Sequence, residues 1–168
     1  MADTLIIEID DYDARILAEL QADARLSMAE LGRRVRLSQP AVTERVRKLE
    51  EGGVITGYHA RVDASKLGYR IRAVVRVRGC DYPAMLRRIE QLPEVRTAFN
   101  VTGEDSWIME IAVRDVEHLD VVLRVLCDAT ETSTAVILRA PRENAPLVPP
   151  GELEKRARLA AATGRKRT

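Results

Sequence analysis

The sequence predicts an α+β protein, with three short helices first and then strands and helices in the order βαββαβ. Three observations carry this. Residues 11–51 hold apolar stripes at helical spacing, each preceded by a capping residue. Residues 70–78, RIRAVVRVR, alternate with period two. Turn residues then separate short strand and helix patterns as far as about residue 140.

The first helix is expected to start at Asp11 or Asp13, either of which can cap, and to run to about Gln21. Ile16, Leu17 and Leu20 form its stripe. ADARL is a polar break. The second helix is capped by Ser27, with Glu30 three residues on completing a capping box, and ends near Val35. Met28, Leu31 and Val35 face inward. After Arg36 and Leu37, Ser38 caps a third helix. Pro40 is tolerated in its first turn, where an N–H would be unpaired anyway. Val42, Val46 and Leu49 line its buried side, and Gly52-Gly53 ends it. Three short helices with a tight turn between the last two form a helix-turn-helix pattern.

VITGYHARVD reads as a strand-like connector. In the first strand, Ile71, Ala73, Val75 and Val77 share one face and Arg70, Arg72, Arg76 and Arg78 the other. A helix over 82–92 turns Met85, Leu86, Ile89 and Leu92 inward. Strands follow at 95–101 and 107–113, joined by the turn GEDS. Asp115 caps a helix carrying Leu119, Val122, Leu123 and Leu126, and a last strand spans about 132–139. In this order both helices cover one face of an antiparallel sheet. The other face, mixing apolar residues with arginine, is most simply covered by a second copy of the chain.

Composition narrows the function classes. Hydrophobic residues make up 46% and charged residues 32% of the 168, as in globular proteins. No apolar run is long enough to span a membrane, and the acidic N-terminus is not a secretory signal, so a cytoplasmic location is expected. Cys80 and Cys127 lack ligand spacing with each other or with His59 and His118. They read as reduced thiols, with no metal site and no cofactor. The formal net charge of +1 hides an uneven distribution. Residues 3–23 hold seven acids and one base; residues 25–48 hold seven bases and two acids; the last fourteen residues hold six bases and no acid.

IDDYDARILAELQADAR, LSQPAVTERVRKLEEGGVITGYHARVD and VTGEDSWIMEI together resemble the Lrp/AsnC family of leucine-responsive, or feast/famine, transcriptional regulators, over roughly residues 8–140. The resemblance implies a winged-type helix-turn-helix domain with strand linker (1–64) and a ferredoxin-like ligand-binding and oligomerisation domain (65–140). A Pro-rich, then basic tail (141–168) lies beyond it. It also implies partners: double-stranded DNA, further copies of the chain in homodimers and octamers, and an amino acid or similar metabolite as effector at interfaces between the C-terminal domains.

A recognition helix points its N-terminal half at base edges. Ser38, Gln39, Pro40, Thr43 and Glu44 lie at that end. Gln39 suits adenine, and Thr43 a base edge or a thymine methyl. Arg47 and Lys48 suit phosphate or base contacts, and Arg33, Arg34 and Arg36 the flanking backbone. Arg45 is open between DNA and a structural ion pair. A merely solvated face is the competing reading, against which stand the three capped helices and the local excess of base.

For the effector, the resemblance points to Val101, Thr102, Gly103, Glu104, Asp105 and Ser106. Gly103 permits a tight turn whose N–H groups can hold a carboxylate, Glu104 or Asp105 can attract an ammonium, and the Ser106 hydroxyl can bond either group. Many family members carry aspartate where this chain has Ser106. Trp107 reads as core or interface, and the strand arginines as interface ion pairs that Glu110 partly neutralises. The tail reads as a solubilising end or as added DNA affinity. Two alternatives to an effector-controlled regulator are an architectural DNA-compacting protein of the same fold and a siroheme-decarboxylase-like enzyme. Only His59 and His118 are on offer to the latter.

Overall fold

Helix α1 (Asp11–Ala22) starts at Asp11, the first of the two expected starts, but neither Asp11 nor Asp13 is its cap. The cap is Asp10, extended, whose carboxylate accepts from the Tyr12 and Asp13 N–H groups while Asp13 accepts in return from the Asp10 N–H. Three nearby aspartates are all good caps; the reciprocal capping box selects Asp10. The computed structural model describes residues 8–126 and 131–154. Cys127 and the tail bases beyond 154 lie outside the described residues.

Helix α2 (Met28–Val35) is capped by Ser27, which accepts from the Glu30 N–H. Only that half of the expected box forms, because the Glu30 carboxylate turns along the helix to Arg33 and Arg34. Arg36 then takes a left-handed conformation, φ 61°, and Ser38 caps α3 (Gln39–Glu51). The turn closes tightly onto α2: Leu37 N–H donates to the Gly32 carbonyl at 2.9 Å, and a Cβ at Gly32 would lie 2.7 Å from the Leu37 oxygen. Ile16, Leu20, Leu31, Val35, Val42, Val46 and Leu49 make one core among the three helices. Past Gly53 (φ 69°), the Val54 and Ile55 N–H groups both return to the Leu49 carbonyl and seal the helix end.

Arg45 ties α3 to the start of α1. Its Nη1 lies 2.7 Å from Asp10 and 2.8 Å from Asp13, and its guanidinium sits 5.4 Å from the Tyr12 ring centroid. The connector after α3 pairs with no strand among the described residues, so the expected strand is not formed here. Tyr58 donates to Glu50; burial first, then that carboxylate, pushes its phenol up to about 12.

The chain divides into two compact units. The helical one comprises the residues up to Ala60 and the described segment from Arg142 onward; the other spans Arg61–Pro141. The second unit holds four antiparallel strands in the order β2-β3-β1-β4: β1 (Ile71–Arg78), β2 (Val95–Asn100), β3 (Trp107–Val113) and β4 (Glu131–Val136). Two helices, α4 (Tyr82–Glu90) and α5 (Val116–Leu126), pack on one face. The period-two reading of β1 holds: Ala73, Val75 and Val77 are fully buried, facing Met85, Met109, Ile111, Val122 and Leu126. Leu86, expected inward, is exposed. Met85 and Ile89, one turn apart, carry the stripe, and Leu86 is rotated off it. A bulge between Val95 and Thr97 shifts the phase of β2, so that Val95 and Ala98 both meet the core and Phe99 is exposed. Trp107 is core, stacked on Tyr82 at 5.3 Å. Strand β4 stops three residues short of the expected end. No helix among the described residues is long and apolar enough to cross a membrane.

This packing can be tested at Gly32 and at Arg45. Gly32→Ala forces a methyl into the Leu37 carbonyl and is expected to destabilise the helical unit by about 1–3 kcal/mol, read as a lowered thermal midpoint; an unchanged midpoint would count against the tight turn. Burial pushes Asp10 up, but the Asp13 backbone N–H and Arg45 outweigh it and hold the carboxyl below its ordinary value. That contribution is present above the unfolded-state pKa and is lost as pH falls through the lowered one. Arg45→Ala is therefore expected to begin acid unfolding at higher pH than the parent, followed by circular dichroism.

Candidate nucleic-acid interface and ligand turn

With Val42, Val46 and Leu49 buried, the opposite side of α3 presents two adjacent columns of side chains at four-residue spacing. Gln39, Thr43 and Arg47 form one; Pro40, Glu44 and Lys48 form the other. Ser38, Gln39, Pro40, Thr43, Glu44, Arg47 and Lys48 are all exposed, and Ser38 accepts from the Ala41 N–H. The Thr43 hydroxyl donates to the Gln39 carbonyl at 2.8 Å, which leaves its methyl and oxygen lone pairs for an outside contact. The Gln39 side-chain amide makes no hydrogen bond among the described residues.

The basic character of this surface is lower than the sequence count suggests. Arg47 is gripped by Glu44 at 2.7 Å and by Glu51, and these two carboxylates raise its pKa further above the ordinary guanidinium value. Glu44 is in turn held below its ordinary value by Arg47. Lys48 lies 3.8 Å from Glu44 and is 69% exposed. On α2, Arg33 pairs with Glu30, and Arg34 with Glu19 at 2.9 Å and Glu30 at 3.0 Å. Arg36 has no acidic partner among the described residues. Arg45 forms an ion pair to α1, one of the two roles open for it. Carboxylates from outside the 25–48 window, namely Asp10, Asp13, Glu19 and Glu51, offset cations inside it. Gly32 is a positioning residue that the site residues named above leave out. Its signal in the sequence is a glycine inside a helical pattern.

The candidate ligand turn lies between β2 and β3. Gly103 takes φ 118°, a value that favours glycine. Val101 N–H donates to the Ser106 carbonyl, which also accepts from Asn100 Nδ2. The Ser106 N–H donates to the Val77 carbonyl at 2.8 Å, and its hydroxyl accepts from the Gly79 N–H at 3.2 Å. The carboxylates named for an ammonium are already held by Arg78, with Asp105 at 3.2 Å and Glu104 at 3.1 Å; Glu131 joins them at 3.4 Å. These three carboxylates, Asp105 foremost, raise the Arg78 pKa. Thr102 is exposed and Val101 half-buried. Arg78, at the end of β1, is thus part of this turn in space though far from it in sequence. Arg72 pairs with Glu110 at 2.6 Å, the neutralisation expected on that face.

His118 is taken up structurally. Its Nε2 lies 2.9 Å from Glu94, and its Nδ1 accepts from the Arg114 N–H. Among the described residues no group of three or more His, Cys, Asp or Glu side chains is placed to hold a metal.

Known proteins match both units. The model of the AsnC-type helix-turn-helix domain covers residues 9–50, and that of the Lrp/AsnC ligand-binding domain covers 72–147. The chain is 35% identical over 133 residues to the transcriptional regulator LrpC of Bacillus subtilis, covering 78% of this chain and 92% of that protein. It is 39% identical over 136 residues to the regulator Rv2324 of Mycobacterium tuberculosis, covering 77% and 92%. The structure of B. subtilis LrpC superimposes with a TM-score of 0.77 at 33% identity, covering 81% and 99%. The feast or famine regulatory protein Rv3291c of M. tuberculosis, complexed with L-methionine, does so with a TM-score of 0.76 at 31% identity, covering 84% and 100%. These relatives are transcriptional regulators and not enzymes, so the decarboxylase alternative falls away. The chain belongs to the Lrp/AsnC family and is a DNA-binding transcriptional regulator with an N-terminal AsnC-type helix-turn-helix domain and a C-terminal ligand-binding domain.

Proposed function

We propose that α3 reads double-stranded DNA through its two exposed columns. Gln39 and Thr43 address bases, and Arg47, Lys48, Arg33, Arg34 and Arg36 address phosphates. Ser38, Pro40 and Glu44 complete the contact surface, and Arg45 holds the helix in place. The observation that carries this reading is the Gln39–Thr43–Arg47 column, exposed along a helix whose opposite side is wholly buried. The protein acts in the cytoplasm, where the DNA is. The outer sheet face supports pairing of chains: Val74 and Ile108 are half-buried and Phe99 is 58% exposed, flanked by the Arg72–Glu110 pair. Homodimers, and octamers built from them, follow from covering such faces.

The effector is an amino acid or a related metabolite, bound at interfaces of the C-terminal units around residues 101–106. Support comes from the methionine complex of the M. tuberculosis relative and from Gly103. A second reading, an architectural DNA-compacting protein without a switch, is favoured by one observation. Glu104, Asp105 and Ser106 already have partners within the chain, so a ligand must displace them.

Replacing Arg47 and Lys48 together with alanine is expected to abolish tight DNA binding at moderate salt while sedimentation still reports the parental oligomer. Gln39→Ala is expected to relax sequence preference, at about 1–3 kcal/mol for each adenine it pairs with. Unchanged affinity of the double variant would remove α3 as the reading element. For the effector, titration with amino acids, methionine first, is expected to shift DNA affinity or oligomer size, and Asp105→Asn to blunt the shift. No response to any amino acid favours the architectural reading.

A further inference from the structure

Trp107, the only tryptophan in the chain, directly follows the turn at 101–106 and is buried. Its ring belongs to the core of the sheet unit and stacks on Tyr82, the first residue of α4, with the ring planes at 28°. Tyr82 is 51% exposed, so its ring rests against Trp107 on one side and is open on the other. Leu86 lies one helical turn further along α4 and is 37% exposed, so Tyr82 and Leu86 form a short apolar wall on that helix. Hydrogen bonds hold this wall to the turn. Ser106, the last residue of the turn, accepts from the Gly79 N–H on its hydroxyl and donates its own N–H to the Val77 carbonyl. The chain that enters α4 is thus fastened to the turn three residues before Tyr82. The Asp81 carboxylate is turned to the α4 cap, where it accepts from the Ala84 N–H. The Trp107 indole Nε1 is buried and has no hydrogen-bond partner among the described residues.

We propose that Tyr82, backed by Trp107 and extended by Leu86, is the wall that selects the side chain of the effector, and that the class it selects is amino acids with an apolar side chain. The inference rests on the reading of residues 101–106 as the effector turn, and it adds which side chain that turn accepts. A free amino acid is amphipathic. Its charged head needs a few placed polar groups, and an apolar side chain needs a surface that removes it from water. The turn supplies the first kind of group and Tyr82 the second, with the single residue Trp107 between them. An aliphatic, thioether or aromatic side chain laid on the open side of the Tyr82 ring takes apolar area out of water on both partners. A hydroxyl or a carboxylate placed there loses water and gains no partner from the ring. The unpaired Trp107 donor is a second mark of the same place. A buried donor is costly to leave unbonded, and an acceptor arriving with the ligand relieves that cost.

The test titrates the full chain with methionine, phenylalanine, serine and aspartate. Binding is read from the emission of Trp107, and its consequence from oligomer size and DNA affinity. The parent, Tyr82→Phe, Tyr82→Ser and Leu86→Ser are compared, with circular dichroism to confirm folding. The parent is expected to bind methionine and phenylalanine about tenfold or more tightly than serine and aspartate, the difference that burying one apolar side chain makes. Tyr82→Phe is expected to keep that ratio. Tyr82→Ser is expected to weaken methionine and phenylalanine about tenfold and to leave serine unchanged, so that the ratio collapses. Leu86→Ser, at a side chain already exposed, is expected to lower the ratio by less, and it carries the comparison if Tyr82→Ser does not fold. A residue that only held the fold in place would weaken all four amino acids alike, so an equal loss overturns the proposal. A parent without preference for apolar side chains overturns it too, as does a folded Tyr82→Ser chain that keeps the parental ratio. If amino acids shift oligomer size or DNA affinity while the ratio ignores Tyr82 and Leu86, the effector turn stands and only the wall is wrong. If no amino acid changes emission, oligomer size or DNA affinity, the effector turn falls and the wall with it.

Discussion

The contact of Arg45 Nη1 with Asp10 and Asp13 joins the start of α1 to the middle of α3, and the presentation of α3 depends on it. Surface ion pairs contribute little when two long side chains must be ordered for one contact. Here both carboxylates are already oriented by the α1 capping box, and the guanidinium is further placed over the Tyr12 ring. One guanidinium therefore rests on a preformed acidic cradle. With Arg45 turned toward α1 and Val42, Val46 and Leu49 buried, the rotation of α3 about its axis is set. Gln39, Thr43 and Arg47 are left outward as a consequence.

That outward surface is self-quenched. Glu44 and Glu51 occupy Arg47, and Glu19 and Glu30 occupy Arg34. A phosphate that takes Arg47 must displace carboxylates, so part of the Coulomb gain is offset by the broken pairs. Strong non-specific attraction is then a poor fit to α3 alone, and the groups of α3 left without a charged partner are polar ones such as Gln39 and Thr43. The same constraint operates in the ligand turn. Arg78 gathers Glu104, Asp105 and Glu131, so an incoming ammonium competes with a guanidinium for the same carboxylates. In both places the charged groups already have partners within the chain.

The sheet unit shows how one local irregularity alters a face. A regular β2 would put alternate residues inward throughout. The bulge after Val95 adds one residue, turns Ala98 to the core and leaves Phe99 outward beside Ile108. Phe99 thereby joins Val74 and Ile108 on the face away from the helices.

Much of this molecule was legible in the chain itself. Three capped apolar stripes, the alternation of 70–78 and the turn residues between them suffice for element types and order, because caps and periodicity are local properties of backbone and side chain. The outward column of α3 followed from the same spacing, as did Gly103 in its turn. Four features were decided by tertiary structure. Asp10 was chosen among three aspartates by reciprocal bonding and by Arg45, thirty-five residues away. The Glu19 partner of Arg34 and the partners of Arg45 and Arg78 came from other elements, since charges pair by distance in space and a window of sequence counts only its own. Gly32 became obligatory only when the Leu37 carbonyl approached it. The docking of Leu147 on Gln21 joins residues 126 positions apart, and no periodicity in either segment announces it. Local propensity determined what each segment is; the meeting of distant segments determined which of its polar groups remain for DNA and ligand.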